Sequence, residues 1–363
     1  IQYELIGISP MKLLLITDAW EPQINGVVTC YQHVIRELEN AGHVVHTIHP
    51  GLFPSMPCPF YKSIPLAWVT QSAFIGKVEN FQPEAIHIAT EGPVGMAGRK
   101  WCRKYGFRFT SSYHTQFPRY LKSYTGIPES FTFAAIRRFH AASEKVLVPS
   151  QSVSEELIRQ GIQHTWVWTR GVDHDQFYPG ESSVFRDLPG PIMIYCGRVA
   201  REKNIEAFLR SDHRGTKVVI GDGPAFASLR QQFPDVVWTG FKRGKDLADC
   251  YRAGDVFVFP SKTDTFGVVM LEAMACGLPV AAYPVTGPID VIRDPKVGTL
   301  DHNLTAAISQ SLTLNRSDCV SYAKTFTWKK TANLFSEQLV RKQCEKPAVT
   351  RANFCKGFIS DLV

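Results

Sequence analysis

The stretch SKTDTFGVVMLEAMACGLPV, residues 261–280, follows the apolar run VFVFP and contains two carboxylates, Asp264 and Glu272. Its pattern predicts a buried strand, a loop and then a helix over 266–275, with Thr265 as the N-cap. Asp264 then lies in the loop above the helix N-terminus, where free N–H groups suit phosphate oxygens. Glu272 lies two turns further in, among apolar side chains, where an ionised carboxylate is costly unless strong donors meet it. Those donors are either the vicinal hydroxyls of a ribose or an arginine of the neighbouring layer.

Around this unit, short apolar runs alternate with longer amphipathic ones. One series begins with KLLLIT at 12–17 and ends near KVLVPS at 145–150, and a second begins with PIMIYCG at 191–197. A segment rich in Pro, Gly and Asp separates the two series. Such alternation predicts an α/β protein with two doubly wound parallel sheets. Ligands of such sheets bind beyond the carboxyl ends of the strands, so we expect the chemistry in the loops that follow strands.

The composition is that of an ordinary globular protein, because 44% of the 363 residues are hydrophobic and 20% are charged. The 40 Lys and Arg residues against 33 Asp and Glu residues give a net charge of +7. This excess favours anionic partners without singling out nucleic acid. The 9 cysteines form no Cys-x-x-Cys pair, which indicates thiols of a reducing compartment, the cytosol. No apolar run is long enough to predict a membrane span.

The segment TDTFGVVMLEAMACGLPVAA resembles the signature of the family 4 retaining glycosyltransferases. The family pattern is Glu, seven residues, Glu, and this chain has Asp264, one methylene shorter, at the first position. The resemblance implies the GT-B fold, in which two Rossmann-like domains face each other across a cleft. It also implies that Asp264 contacts the donor sugar, that Glu272 holds the nucleotide ribose, and that Thr265, Phe266 and Gly267 line the donor site.

Two further segments of the second series are similar to family elements. YCGRVAREKN matches a Gly-Arg-x-x-x-x-Lys element and implies that Arg198 and Lys203 hold the diphosphate leaving group. Without the resemblance, a basic loop after a strand is more often a solvated surface. GDGP implies that Gly223 lies at the nucleotide, although a Gly-Asp-Gly by itself is only a turn.

Three residues of the first series are candidates as well. Gly26, in PQINGVVT, would let the backbone approach phosphate at a helix start, or would supply turn geometry alone. His114, in SYHTQF, matches the family histidine near the donor sugar, although most of the 11 histidines must be structural. Glu91, in ATEGPVG, is a candidate for contact with the acceptor at the cleft rim.

The segment GRKWCRKYGFRF interleaves basic and aromatic residues. Its cations are Arg99, Lys100, Arg103, Lys104 and Arg108, and the first four of them would attract an anionic membrane surface, or would form a solvated helix face. The protein is therefore expected in the cytoplasm, or peripherally on the inner face of the membrane.

The resemblance runs over roughly 11–340 and divides the chain into four parts. The first domain, on the acceptor side, spans 11–178, and the second, on the nucleotide-sugar side, spans 190–325. A helix at 326–340 crosses back to the first domain, and 341–363 is a tail.

The resemblance implies a retaining, metal-independent hexosyltransferase whose donor is a nucleoside-diphosphate sugar and which needs no cofactor. Sulfolipid-synthase-like and mannosyltransferase-like bacterial members are similar in style, which favours a membrane lipid or glycolipid as the acceptor. A soluble sugar, a polysaccharide precursor, or a nucleotide-sugar-binding protein without transferase activity are the alternatives. A nicotinamide oxidoreductase is disfavoured, because no Gly-x-Gly-x-x-Gly follows the first strand of either series.

Overall fold

The computed structural model describes residues 9–23, 25–58 and 61–341. Over these residues the chain forms two six-stranded sheets and one two-stranded sheet. The strands of both larger sheets pair in parallel throughout. This confirms the predicted pair of doubly wound sheets. The predicted tail lies outside the described residues beyond Arg341.

The first sheet has the order β2-β1-β5-β6-β7-β8, and a separate hairpin pairs β3 with β4. The strands of this half are β1 Lys12–Ile16, β2 Val44–Ile48, β3 Ser55–Cys58, β4 Tyr61–Ala67, β5 Ala85–Ile88, β6 Thr110–Ser112, β7 Val146–Val148 and β8 Thr165–Val167. Its helices are α1 Gly26–Asn40, α2 Gln71–Val78, α3 Pro93–Tyr105, α4 Phe117–Thr125, α5 Glu129–His140 and α6 Gln151–Arg159. Central strands such as β5 and β7 are buried along their whole length, which is why they read as continuous apolar runs. The sequence pattern did not predict the β3–β4 hairpin.

The second sheet has the order β11-β10-β9-β12-β13-β14. Its strands are β9 Ile192–Cys196, β10 Thr216–Ile220, β11 Val237–Gly240, β12 Val256–Phe259, β13 Val280–Ala282 and β14 Gly298–Leu300. Its helices are α7 Ile205–Leu209, α8 Phe226–Gln232, α9 Gly244–Arg252, α10 Val268–Ala275, α11 Pro288–Val291, α12 Leu304–Ser311 and α13 Arg316–Ala323. The order reverses direction at β9 and β12, so the loops after these two strands lie beside each other.

The last helix, α14 Trp328–Gln338, returns from the second sheet and packs on α1 of the first. The ring of Trp328 stacks on His33 with centroids 4.7 Å apart, and the Trp168 indole donates to the Thr331 carbonyl at 2.9 Å. A methyl group on Gly171 would lie 2.4 Å from the Trp328 nitrogen, so the two chain segments need glycine there. Within the described ranges, no helix combines the length and apolarity needed to cross a bilayer.

Candidate active site

The loops after β9 and β12 bring two predicted site residues into direct contact. Lys203, at the end of a 3-10 turn, donates from Nζ to Asp264 Oδ1 at 2.5 Å, and the two side chains are 21% and 17% exposed. Burial disfavours the charged ammonium, but the Asp264 carboxylate outweighs it and raises the pKa of Lys203 above its ordinary value. The basic loop is therefore not a solvated surface at Lys203.

Two polar atoms beside this ion pair are buried and have no hydrogen-bond partner among the described residues: Asp264 Oδ2 and the Ser261 hydroxyl. A buried polar atom without a partner costs about 1–3 kcal/mol. A sugar hydroxyl reaching Asp264 Oδ2 would remove that cost, so the geometry fits a ligand with hydroxyl groups.

Glu272, in the second turn of α10, accepts a hydrogen bond from the Tyr251 hydroxyl on α9 at 3.1 Å. Within the described chain it takes part in no ion pair, so the internal arginine considered above is not found. Burial raises the pKa of Glu272 to about 7, and the Tyr251 hydrogen bond only partly opposes this. The carboxylate is therefore incompletely ionised near neutral pH until a better set of donors meets it.

The start of α10 differs from the prediction. The helix begins at Val268, and its N-cap is Gly267 in the left-handed region at φ 93°, so the assignment of Thr265 as the N-cap is wrong. No side chain caps this helix terminus. The Asp264 loop directly precedes this terminus, whose first N–H groups suit phosphate oxygens.

Thr265 and Phe266 contact different halves of the molecule. The Thr265 hydroxyl donates to the His114 carbonyl at 2.6 Å, and the Thr265 carbonyl accepts from Ser150 Oγ at 3.2 Å. Both partners follow strands of the first sheet. Phe266 is only 5% exposed and lies in the core of the second half, so a donor contact from it is restricted to its main chain.

Side chains of the protein already occupy the starts of α1 and α3. Asn25 Oδ1 accepts from the first-turn amides of α1, and the Asp18 carboxylate accepts from those of α3. A methyl group on Gly26 would meet nothing within 4 Å, so packing does not require glycine there. At Gly223, by contrast, a methyl group would lie 2.4 Å from the Val199 carbonyl oxygen, so contact between two protein loops suffices to explain that glycine.

His114 is tied to the protein through both ring nitrogens. Nε2 lies 2.9 Å from the Tyr31 hydroxyl, and Nδ1 lies 3.0 Å from Arg170 Nη2. Burial, and then the charge of Arg170, hold the pKa of His114 well below its ordinary value. The imidazole is therefore neutral. The main-chain carbonyl of His114 contacts the Asp264 loop, whereas its ring faces the core.

Glu91, the candidate acceptor contact, pairs with His140. Its Oε1 lies 3.1 Å from His140 Nε2, while His140 Nδ1 lies 2.8 Å from Ser111 Oγ. The Glu91 side chain is partly exposed at the start of α3, so contact with an acceptor stays a prediction.

Four of the five cations of GRKWCRKYGFRF, all except Arg108, line one open groove of about 740 Å³ along α3. Lys100, Arg103 and Lys104 are exposed, whereas Arg99 donates to the Arg138 and Phe139 carbonyls and so caps the end of α5. Met96 also lines the groove and is 50% exposed, and Trp68, which precedes the lining residue Val69, is 76% exposed. The groove therefore combines positive charge with an exposed apolar side chain.

The sequence pattern missed Tyr120, Arg170 and Tyr251. Tyr120, on α4, reaches across to the second half, where its hydroxyl bonds with Thr263 beside Lys203 and Asp264. Its pKa is raised, mainly by burial. Nothing in the sequence signals this contact, because it joins two segments that only the packed sheets bring together. Within the described ranges, no three His, Cys, Asp or Glu side chains converge as metal ligands.

Family models match both halves of the chain: "Glycosyltransferase Family 4" over residues 24–176 and "Glycosyl transferases group 1" over residues 190–313. A GDP-mannose-dependent alpha-mannosyltransferase of Mycobacterium tuberculosis is 31% identical over 82% of this chain and 87% of its own length. The sulfoquinovosyl transferase of Arabidopsis thaliana is 31% identical over 76% of this chain and 60% of its own length.

Solved structures show a similar fold. A sucrose-phosphate synthase from Thermosynechococcus elongatus matches with a TM-score of 0.75 and 20% identity, over 91% of this chain and 98% of its own. Anabaena HepE, in complex with UDP and glucose, matches with a TM-score of 0.68 and 17% identity, over 90% and 98%. These likenesses bear on the fold alone and agree with the predicted GT-B arrangement.

Proposed function

Because the chain belongs to the glycosyltransferases of family 4 and group 1, we propose that it transfers a hexose from a nucleoside diphosphate to a hydroxyl of a membrane lipid or glycolipid. We propose further that the transfer retains the anomeric configuration and needs no metal. The observation that carries the proposal is the convergence of Lys203, Asp264 and the uncapped start of α10 at the carboxyl edge of the second sheet.

Each part of the donor has a matching group at this edge. Asp264 Oδ2 accepts a hydroxyl of the sugar, and Glu272 accepts the two ribose hydroxyls. Arg198, Lys203 and the α10 N-terminus bind the diphosphate. An ammonium carries three donor hydrogens, so Lys203 can keep its contact with Asp264 and still hold a phosphate oxygen.

The reaction develops opposite charges on its two halves. As the bond between the anomeric carbon and the phosphate oxygen breaks, negative charge grows on the diphosphate and positive charge on the sugar ring. Arg198 and Lys203 stabilise the diphosphate. The departing phosphate oxygen accepts the proton of the acceptor hydroxyl, whose oxygen bonds to the anomeric carbon on the same face. Asp264 orients the sugar and forms no ester, so a glycosylated Asp264 peptide in a mass spectrum would contradict this mechanism.

A lipid acceptor fits the relatives and the groove along α3. One relative is an alpha-monoglucosyldiacylglycerol synthase of Streptococcus pneumoniae, 27% identical over 83% of this chain and 78% of its own length. In the groove, Lys100, Arg103 and Lys104 supply positive charge, and Met96 supplies an exposed apolar side chain. Such cations contribute about 1 kcal/mol each on an anionic leaflet. We therefore propose peripheral attachment to the inner face of the membrane through this groove.

Liposome cosedimentation tests the attachment. Changing Lys100, Arg103 and Lys104 to glutamate should lower binding to phosphatidylserine vesicles by about 100-fold, since about 3 kcal/mol is lost. The matched control changes three exposed cations of the second half, Arg210, Arg214 and Lys245, to glutamate. Equal loss in both triple variants would show a non-specific charge effect and would remove the groove from the proposal.

The transfer itself is tested with purified protein and a panel of nucleotide sugars. A donor that binds the folded chain raises its melting temperature. That donor is then incubated with diacylglycerol vesicles and, separately, with soluble sugars, and the products are identified by mass spectrometry. A glycolipid product supports the proposal. A soluble glycoside would show that the acceptor is a soluble sugar and not a lipid. Binding without any consumption of donor favours a nucleotide-sugar-binding protein without transferase activity.

A further inference from the structure

Five polar side chains form one hydrogen-bonded chain through the core behind the Asp264 loop. Arg170 Nη2 lies 3.0 Å from His114 Nδ1, and His114 Nε2 lies 2.9 Å from the Tyr31 hydroxyl. That hydroxyl lies 2.9 Å from His87 Nε2, and His87 Nδ1 lies 2.8 Å from Thr110 Oγ1. The chain runs from the loop after β8, where Arg170 lies, to the strands at the centre of the sheet.

The chemistry of its two ends fixes which ring nitrogen of each histidine accepts and which one donates. Arginine only donates, so His114 Nδ1 accepts and the His114 proton lies on Nε2, which donates to Tyr31. At the other end Thr110 donates to the Ile86 carbonyl at 3.5 Å, so it accepts from His87 Nδ1. His87 Nε2 then accepts from the Tyr31 hydroxyl or from Ser112 Oγ, which lies 2.9 Å away. The Tyr31 hydroxyl can also donate to Ser112 Oγ, at 3.1 Å. His114 must be neutral to accept from Arg170, and burial lowers the pKa of His87 to about 3.

Arg170 is the permanently charged member of this hydrogen-bonded chain. It is only 4% exposed, and it makes no ion pair with any carboxylate of the described residues. Its guanidinium lies 4.3 Å from the centroid of the Trp168 ring and donates to the Trp168 carbonyl at 2.5 Å. Burying a cation without a carboxylate is costly. These contacts hold the group in place and aim a donor of Nη2 at His114.

We propose that Arg170 is a positioning residue for the donor sugar, which holds His114 as the neutral Nε2–H tautomer and thereby fixes the main chain that receives Thr265. The His114 carbonyl accepts the Thr265 hydroxyl at 2.6 Å, and Thr265 adjoins Asp264. A turned His114 ring would shift this carbonyl and, with it, the carboxylate that orients the sugar. A misplacement of about 1 Å costs roughly 100-fold in rate. The inference rests on the transfer reaction proposed above.

The test compares Arg170→Met and Arg170→Lys with wild type, and with Arg293→Met as a control. Arg293 is exposed and lines the same cavity of about 440 Å³ between the two halves. Nitrogen NMR of 15N-histidine-labelled, ligand-free protein reports the His114 tautomer, with His114→Gln used for assignment. We expect Nε2–H in wild type and its loss in Arg170→Met. We expect kcat to fall about 100-fold in Arg170→Met while the donor KM stays within about threefold, since the nucleotide is held by the other half.

Arg170→Lys keeps one charged donor and should retain the tautomer and recover at least about tenfold of the lost kcat. Arg293→Met should match wild type in both readouts. An Nδ1–H or charged His114 in wild type would overturn the proposal, as would a folded Arg170→Met with normal kcat. If Arg170→Met does not fold, Arg170→Lys provides the test by itself. An Arg170→Lys protein that loses the His114 Nε2–H signal but keeps wild-type kcat would overturn the proposal. A wild type that shows Nε2–H but consumes no donor instead refutes the transfer reaction, and with it the catalytic consequence drawn here.

Discussion

Replacing Glu272 by glutamine separates the cost of this carboxylate in the ligand-free protein from its use in donor binding. Burial raises the pKa of Glu272 to about 7, from an ordinary value of 4.5, so the folded protein holds this proton more tightly than the unfolded chain. At a pH between these two pKa values, Glu272 is ionised in the unfolded chain but still protonated in the folded protein. Stability therefore falls as the pH rises through this window, and above it the loss is complete.

The size of the effect follows from the same two values. At pH 8 the ionised Glu272 costs the folded state about 3 kcal/mol, at about 1.4 kcal/mol per pH unit between the two pKa values. Glutamine has the same shape, still accepts the Tyr251 hydroxyl and carries no charge. We therefore expect Glu272→Gln to melt up to about 10 °C above wild type at pH 8, and close to it at pH 5. Asp18, whose pKa burial raises to about 6, acts with the same sign in both proteins and cancels in the difference.

Donor binding should change in the opposite direction. Hydrogen bonds from ribose hydroxyls to an ionised carboxylate contribute about 1.5–3 kcal/mol, so Glu272→Gln should weaken nucleoside diphosphate binding by about 10- to 100-fold. Differential scanning fluorimetry from pH 5 to 8, with and without nucleotide, measures both effects. Glu206→Gln, an exposed glutamate of α7, is the control. Parallel melting curves for wild type and Glu272→Gln across this pH range would refute the raised pKa, and equal nucleotide-induced shifts would refute the ribose contact.

Three further perturbations test the site and the fold. Arg198→Ala and Lys203→Ala should each lower kcat by about 100- to 1,000-fold, and wild-type turnover would contradict their assignment. Lys203→Ala should also lower the melting temperature, because it leaves the largely buried Asp264 carboxylate without its cation. His114→Ala should lower kcat more than nucleotide affinity, which calorimetry and kinetics on the same preparation compare. Gly171→Ala should lower the free energy of unfolding in urea by about 1–3 kcal/mol, because the new methyl group meets the Trp328 nitrogen at 2.4 Å. Gly26→Ala should keep wild-type stability, because nothing lies within 4 Å of its methyl group, and should raise the donor KM if phosphate approaches there.

The sequence by itself determined the two parallel sheets and the edge at which the site lies. Apolar runs that are buried on both faces, separated by amphipathic helices, leave few arrangements other than doubly wound sheets. A parallel sheet places the loops after its strands at the carboxyl edge, and the family resemblance assigned Lys203 and Asp264 to the donor site. Their direct contact depends on the order of the strands, which the sequence did not predict. The sequence also correctly placed Asp264 in the loop and Glu272 in the helix, because positions eight residues apart are set by local secondary structure.

Only the tertiary structure decided which partners these residues have. Tyr251 rather than an arginine meets Glu272, and Thr265 bonds to His114 rather than capping α10. Such partners come from segments far apart in the chain. Hydrophobic periodicity predicts helices and strands, but it does not predict which polar side chains meet when these elements pack. The same holds for Arg170, which reaches His114 only because the folded sheet brings the loops after β6 and β8, with β7 between them, within side-chain reach of each other.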